Sequence, residues 1–422
     1  MTGSVIIICF FVLMFLGIPV ALSLCLSALF YMVAFVDIPP IIIAQQVLSG
    51  VDKFTLMAVP FFVIAGSLME FGGISKRIVN FAKSIVGSLP GGMAIVTVVS
   101  SMIFAAMTGA GAATTAAVGS TMIPAMVEEN YDEDFACALQ ASAGIFGPLI
   151  PPSILMVLYA VTAGISVGDM LLAGLLPGLF MGALLIAVVV FICVKRNYRG
   201  SGSFSLSNVW SSFKHAFWAL LAPLIILGGI YSGKFTPTES AAIACFYSLI
   251  IGVFVYKELK IQDVCSVLYK GFKMAAGIML IVGATQAFGW VLTREGIPQA
   301  VAHGFASVIH NPILFMLAVC AILLVAGCFI DAVPALLIFA PILYPVAEMY
   351  GINVMHFGVV MVVTLCIGLV TPPVGMNLFV ASSVGKRPVH KIIPQLPAFL
   401  LTMLVGTILI ILIPGISTAL VG

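Results

Sequence analysis

The chain has 422 residues, of which 62% are hydrophobic and only 8% charged, where a soluble domain carries about 25% charged residues. Uncharged apolar stretches of membrane-spanning length recur from end to end, so the expected fold is an all-α polytopic membrane protein with a single membrane domain. The net charge of +2 gives no reason to expect a nucleic-acid partner.

The first 36 residues are apolar, begin without a basic segment and show no small-residue cleavage site; they read as retained membrane helices. Residues 37–53, with Asp37, two prolines, Gln45, Gln46 and Lys53, form either a lateral arm or an ordinary loop. After the basic cluster Lys76, Arg77 and Lys83, residues 91–127 carry no charge. Two full crossings plus a turn need more than this, at about 20 residues per crossing. The middle of the stretch, from Thr108 to Ala113, is glycine-rich, so a re-entrant hairpin with its tip inside the protein is expected. The acidic cluster Glu128, Glu129, Asp132, Glu133 and Asp134 reads as a solvated loop. The span 135–164 is cut by Gly147-Pro-Leu-Ile-Pro-Pro-Ser153, because tandem prolines break the helical hydrogen-bond ladder. Lys195, Arg196 and Arg199 follow. Residues 196–217, Ser-rich and then bearing Trp210, Phe213, Lys214, His215 and Phe217, read as an interfacial amphipathic connector on the cytoplasmic side.

Beyond the connector the chain repeats itself. At a single offset of 221, Pro124 matches Pro345, Gly147 matches Gly368, Pro151 and Pro152 match Pro372 and Pro373, and Gly164 matches Gly385. With small gaps, Gly73-Ile74 falls on Gly296-Ile297, Leu176-Pro177 on Leu396-Pro397, and Pro19 on Pro237. The halves are therefore 1–195 and 218–422. The second contains an equivalent hairpin, 311–347, whose one charge, Asp331, falls at the tip, and an equivalent broken span, 355–385, cut at Gly368-Leu-Val-Thr-Pro-Pro-Val374. Basic clusters at 76–83, 195–199, 257–273 and 386–391 are taken as cytoplasmic by the positive-inside rule. Threading the spans through them makes the two repeats inverted in topology and puts the amino and carboxyl termini in the periplasm.

Irregular backbone at membrane depth is tolerated only where it is buried in protein or lines a wet cavity, so four symmetric breaks point to a site. Inverted repeats with discontinuous helices are a common way for secondary transporters to hold an anion at helix N-termini and a cation at unwound carbonyls. Two sodium sites are expected where each tip meets each break: Ala106, Gly147, Ile150 and Ser153 in the first half, and Gly327, Gly368, Thr371 and Val374 in the second. Polar residues near the first tip and break include Thr108, Thr114, Thr115, Gln140 and Ser142. An intramembrane carboxylate is expensive, so Asp331 is expected to serve substrate or ion, with Arg294 at the end of the preceding span as its partner. Arg294, Asp331, Asn377 and Thr108 are the expected substrate-binding residues; a membrane-edge position for Arg294 stays open. The nine cysteines and five histidines form no CxxC, Cys/His cluster or HExxH pair, and no Walker A loop occurs. Neither an enzyme nor an ATP-driven pump is expected, and no cofactor beyond coupling ions.

The segment Gly228-Gly-Ile-Tyr-Ser-Gly-Lys-Phe-Thr-Pro-Thr-Glu239 resembles the signature of the large membrane subunit of tripartite ATP-independent periplasmic (TRAP) transporters. Pro-Leu-Ile-Pro-Pro-Ser in the first half, Thr-Pro-Pro-Val-Gly-Met-Asn in the second and the amino-terminal Leu-Gly-Ile-Pro-Val-Ala resemble that family too, so the likeness covers essentially the whole chain. Ser240 stands where the family is expected to carry Ala. The resemblance implies an elevator-type transporter of the bacterial inner membrane coupled to sodium. It further implies a separate small four-helix membrane subunit and a periplasmic substrate-binding protein as partners, surrounding lipid, and an organic-anion substrate of the C4-dicarboxylate or sialic acid class. The alternative is a stand-alone sodium/dicarboxylate symporter, which would need no binding protein.

Overall fold

The computed structural model describes residues 3–36, 38–198 and 205–421, so Asp37 and Arg199 lie outside the described residues. Among the described residues the secondary structure is helical throughout. The first half runs α1 Gly3–Phe15, α2 Val20–Phe35, α3 Ile41–Val51, α4 Ala58–Phe71 and α5 Ile74–Val86. A helix pair follows, α6 Gly92–Thr108 and α7 Gly111–Glu128, then the interrupted span α8 Glu133–Ala143, α9 Phe146–Leu149 and α10 Ile154–Ala163, and then α11 Val167–Lys195. The second half runs α12 Leu206–Tyr231, α13 Pro237–Ile250, α14 Ile261–Arg294 and α15 Ile297–Val308. Its helix pair is α16 Pro312–Phe329 and α17 Ala332–Met349, its interrupted span α18 Val354–Gly368 and α19 Met376–Gly385, and α20 Val389–Ile392, α21 Pro397–Leu412 and α22 Gly415–Thr418 complete it. Eight helical stretches among the described residues are long and apolar enough to cross a membrane.

Punctuation sets the helix ends. Gly73 and Gly296 both adopt left-handed backbone, with φ of +72° and +68°, and turn the chain into α5 and α15. Such a conformation costs a side-chain-bearing residue about 1 kcal/mol or more and glycine nothing. The Thr-Pro-Thr-Glu motif is a capping box: the Thr236 hydroxyl accepts from the Glu239 N–H at 3.2 Å, while the Glu239 carboxylate accepts from the Thr236 N–H at 2.8 Å.

The interrupted span α8–α10 is almost wholly buried, and with α6, α7, α17 and α18 it makes up much of the main core. Outer helices such as α11 and α12 turn most of their apolar surface outward, as lipid-facing helices do. A second, smaller core joins α1 and α2 to the far end of α14 through Ile6, Phe10, Leu24, Phe288 and Leu292.

Three local expectations need correction or completion. The connector 196–217 is not a separate element over its described part, because α12 runs unbroken from Leu206 through position 218 to Tyr231; no Gly or Pro interrupts it before Pro223. Its aromatic start is packed, with Trp210 on Phe213 at 5.7 Å and Phe213 on Phe81 of α5 at 5.8 Å. Within 37–53 the chain is largely helical, α3 lying so close to α14 that a Cβ on Gly50 would sit 2.6 Å from the Gln286 Cβ. The acidic cluster is not merely solvated. Glu129 pairs with Lys83 at 3.0 Å, Asp132 caps α8, and Glu133 and Asp134 both hold Arg387, at 2.9 and 2.8 Å. The last pairs clamp the first interrupted span to the segment after the second.

Candidate functional site

Two helix-pair tips press on two helix breaks. In the first half the tip is Gly109-Ala110. A Cβ on Gly147 would lie 2.4 Å from the Ala110 carbonyl oxygen, and one on Gly109 would lie 2.7 Å from the Pro152 carbonyl oxygen. Tip and break therefore touch backbone to backbone. In the second half a Cβ on Gly368 would lie 2.7 Å from the Gly327 Cα, and the Val374 N–H donates to the Cys328 carbonyl at 3.2 Å. Both tandem-proline peptides, Pro151-Pro152 and Pro372-Pro373, are cis.

The hydroxyls expected near these contacts are already engaged in shaping the breaks. Ser153 is the N-cap of α10, accepting from the Met156 N–H at 3.2 Å while donating to the Pro148 carbonyl. Thr371 donates to the Ile367 carbonyl one turn back, at 2.8 Å. Each oxygen keeps lone-pair capacity, since a hydroxyl accepts twice. Thr108 and Thr114 face each other across the first tip with hydroxyls 3.0 Å apart. Ile150 is buried beside the first break. Ala106 is buried in α6 one turn before the tip, so Ala110, not Ala106, is the tip residue that meets Gly147.

The four expected substrate residues do not converge: Thr108 and Asn377 lie by the first tip, while Asp331 and Arg294 lie elsewhere. Asn377 is fully buried; its amide N–H₂ reaches the Ala141 carbonyl at 3.5 Å and its Oδ1 has no partner among the described residues. It sits where Cβ atoms on Gly111 and Gly144 would approach it to 2.9 Å, so this second-half side chain is inserted between α7 and α8 of the first half. Gln140 stands nearby in α8, its amide nitrogen 3.4 Å from the Thr114 and Thr115 carbonyls and its oxygen unpartnered among the described residues.

Asp331 occupies the tip position equivalent to Ala110, since 110 + 221 = 331. It lines a 610 Å³ cavity that is otherwise apolar, with Met14, Phe15, Pro19, Leu280 and Ile281 among its walls. Arg294 is not its partner. Arg294 lies 13 residues beyond Ile281 on α14, which is 294 − 281. At 1.5 Å per residue that is about 20 Å along the helix. The Arg294 guanidinium instead lies 5.6 Å from the Trp290 ring. Trp290 lines a second cavity, of 420 Å³, together with Lys53, Gln286 and Gln299. That cavity escaped the sequence reading; its only signal was two glutamines, one inside an otherwise apolar span and one just past its end.

The geometry thus offers two tip-and-break contacts, the first of them buried, and two cavities flanking the second helix pair, one bearing a carboxylate and one a lysine. The fold resembles the crystal structure of the Alcanivorax borkumensis YdaH transporter, described as revealing an unusual topology, at a TM-score of 0.62 and 14% identity over 90% of this chain and 88% of that one. The sialic acid TRAP transporter large permease protein SiaM of Vibrio cholerae is 41% identical over 93% of both chains. The C4-dicarboxylate TRAP transporter large permease protein DctM of Rhodobacter capsulatus is 37% identical over 97% of this chain and 96% of that one. The family described as tripartite ATP-independent periplasmic transporter, DctM component, matches residues 7–416, and the chain belongs to it: it is a multi-span helical transporter permease and not an enzyme.

Proposed function

We propose that the chain is the transport subunit of a sodium-coupled, binding-protein-dependent uptake system for a small organic acid in the bacterial inner membrane. The observation that supports this best is the repeated contact of a helix-pair tip with a helix break, Ala110 on Gly147 and Gly327 on Gly368. Each contact leaves carbonyls outside any helical ladder, and hard cations take oxygen ligands. One sodium site is assigned to the carbonyl side of Gly147, Ile150 and Ser153, with Ala106 one turn before the first tip. The other is assigned to Gly368, Thr371 and Val374 with Gly327. Sialic acid and C4-dicarboxylate, the substrates named for the two relatives, set the substrate class, with Thr108, Asn377, Asp331 and Arg294 serving it. The helix pairs and broken spans move as an elevator against the outer helices, and both termini face the periplasm.

A small membrane subunit and a periplasmic binding protein complete the system. Uptake into proteoliposomes holding the chain and its small subunit, with loaded binding protein outside, tests the reading. Accumulation should require an inward sodium gradient. Robust uptake in potassium-only buffer by the chain alone would refute it, and sodium-driven uptake without any binding protein would point to a stand-alone symporter.

A further inference from the structure

Two cavities share Lys53 in their walls, and the first reaches the end of α14 near Trp290 and Thr293. One, of 420 Å³, lies between α3 and α14 on one side and α10 and α17 on the other; Lys53, Thr162, Gln286, Trp290, Gln299 and Tyr344 are among its walls. The other, also of 420 Å³, runs from Lys53 past Ser166 to Thr238. Among the described residues no carboxylate lines either one. Lys53 makes no ion pair among the described residues, and its neighbour Asp52 lines neither cavity. The side-chain amides of Gln286 and Gln299 are likewise without a hydrogen-bond partner among the described residues, whereas Thr162 and Thr285 spend their hydroxyls on their own helices, at 2.8 Å each. The cavity that contains Asp331 has the opposite character, with one carboxylate and no cation among the described residues of its walls.

A cleft of this size walled by an indole, two free amides and one uncompensated ammonium suits a small organic anion. We propose that it is an anion-capture site reached before the tips and breaks. Lys53 attracts the carboxylate, Gln286 and Gln299 bind the hydroxyl or carbonyl groups beside it, and Trp290 supplies the apolar wall. The assignment rests on the reading of the chain as an organic-acid transporter and adds a binding site to it. Lys53, Gln286 and Gln299 are all exposed at the mouth of this open cleft, and Lys53 cannot be exchanged for an uncharged residue without loss, because Coulomb attraction is what concentrates an anion there.

The test uses the full chain in liposomes, without sodium or partners, bearing Thr162→Cys as a reporter in the cavity wall. Anionic, neutral and cationic methanethiosulfonate reagents are applied to this chain and to its Lys53→Gln derivative, and labelling at position 162 is read by mass spectrometry. With Lys53 replaced by Gln, the anionic reagent should react at least ~3-fold more slowly, the cationic one faster and the neutral one unchanged, an asymmetry that added salt should erode. Lys53→Arg should restore the original order. Millimolar N-acetylneuraminate or succinate should slow labelling when Lys53 is present and not when it is Gln. Labelling that ignores reagent charge, or protection by neither acid, overturns the proposal. Charge-selective, acid-protected labelling in a chain whose complete system shows no sodium-driven uptake leaves the capture site standing and defeats the transport reading instead.

Discussion

Gly327 and Gly368 meet through their backbones, so closely that a Cβ on Gly368 would fall 2.7 Å from the Gly327 Cα and 2.9 Å from its carbonyl carbon. Neither neighbour is a flexible side-chain end that swings aside. Gly368→Ala should therefore force the second helix pair off its break, with a stability loss of about 1–3 kcal/mol and loss of uptake. Gly228→Ala is the control, because nothing lies within 4 Å of its Cβ position. At an interior helix site it should leave thermal unfolding unchanged or raised. Equal melting temperatures for Gly368→Ala and wild type would remove the contact from the account.

Ser153 and Thr371 separate capping from cation binding. Removing the Ser153 hydroxyl deletes an N-cap, worth about 1 kcal/mol, and, on the proposed assignment, a sodium ligand, so Ser153→Ala should lower the unfolding temperature and raise the sodium concentration for half-maximal uptake. Thr371→Ala removes a hydroxyl that bonds only the end of the preceding helix, at Ile367 and 2.8 Å, and should shift sodium dependence with little change in unfolding. Sodium activation curves on the reconstituted system decide the matter; unaltered curves for both variants defeat the assigned ligands.

Asp331 and Arg294 should act independently. Asp331→Ala is expected to abolish or strongly reduce uptake while expression persists, since a carboxylate in an apolar cavity is not retained for folding. In a double-mutant cycle with Arg294→Ala, the effects on thermal stability should add within about 0.5 kcal/mol, as for groups more than about 10 Å apart. A coupling energy well above that figure would mean that the two side chains meet in another state of the transporter.

The family signature around Thr236 has a structural role that mutation separates from transport chemistry. Thr236→Ala should destabilise the protein by about 1 kcal/mol through loss of the cap, and Thr236→Ser should retain most of the stability. Thermal unfolding of the two variants provides the comparison. Loss of uptake with unchanged unfolding in Thr236→Ala would assign this segment to the transport path.

Local chemistry was legible from the amino-acid order. Membrane class followed from 62% hydrophobic residues against 8% charged, and the pairs of helices at 92–128 and 312–349, with breaks at 150–153 and 369–375, sit where glycines and tandem prolines interrupt apolar runs. Those residues act on their own few φ and ψ angles, so their effect is written where they stand. Contacts between distant segments were not legible in this way. Nothing in the order of residues says that Arg387 closes on Asp134, that Asn377 enters the first half beside Ala141, or that Arg294 turns to Trp290 and not to Asp331. The gathering of Lys53, Gln286 and Gln299 around one cavity depends on how α3 packs on α14. A sequence of apolar spans is compatible with many packings, because lipid satisfies an apolar face as well as another helix does; close backbone approach, polar pairing and cavity shape select among them, and those exist only once the chain is folded.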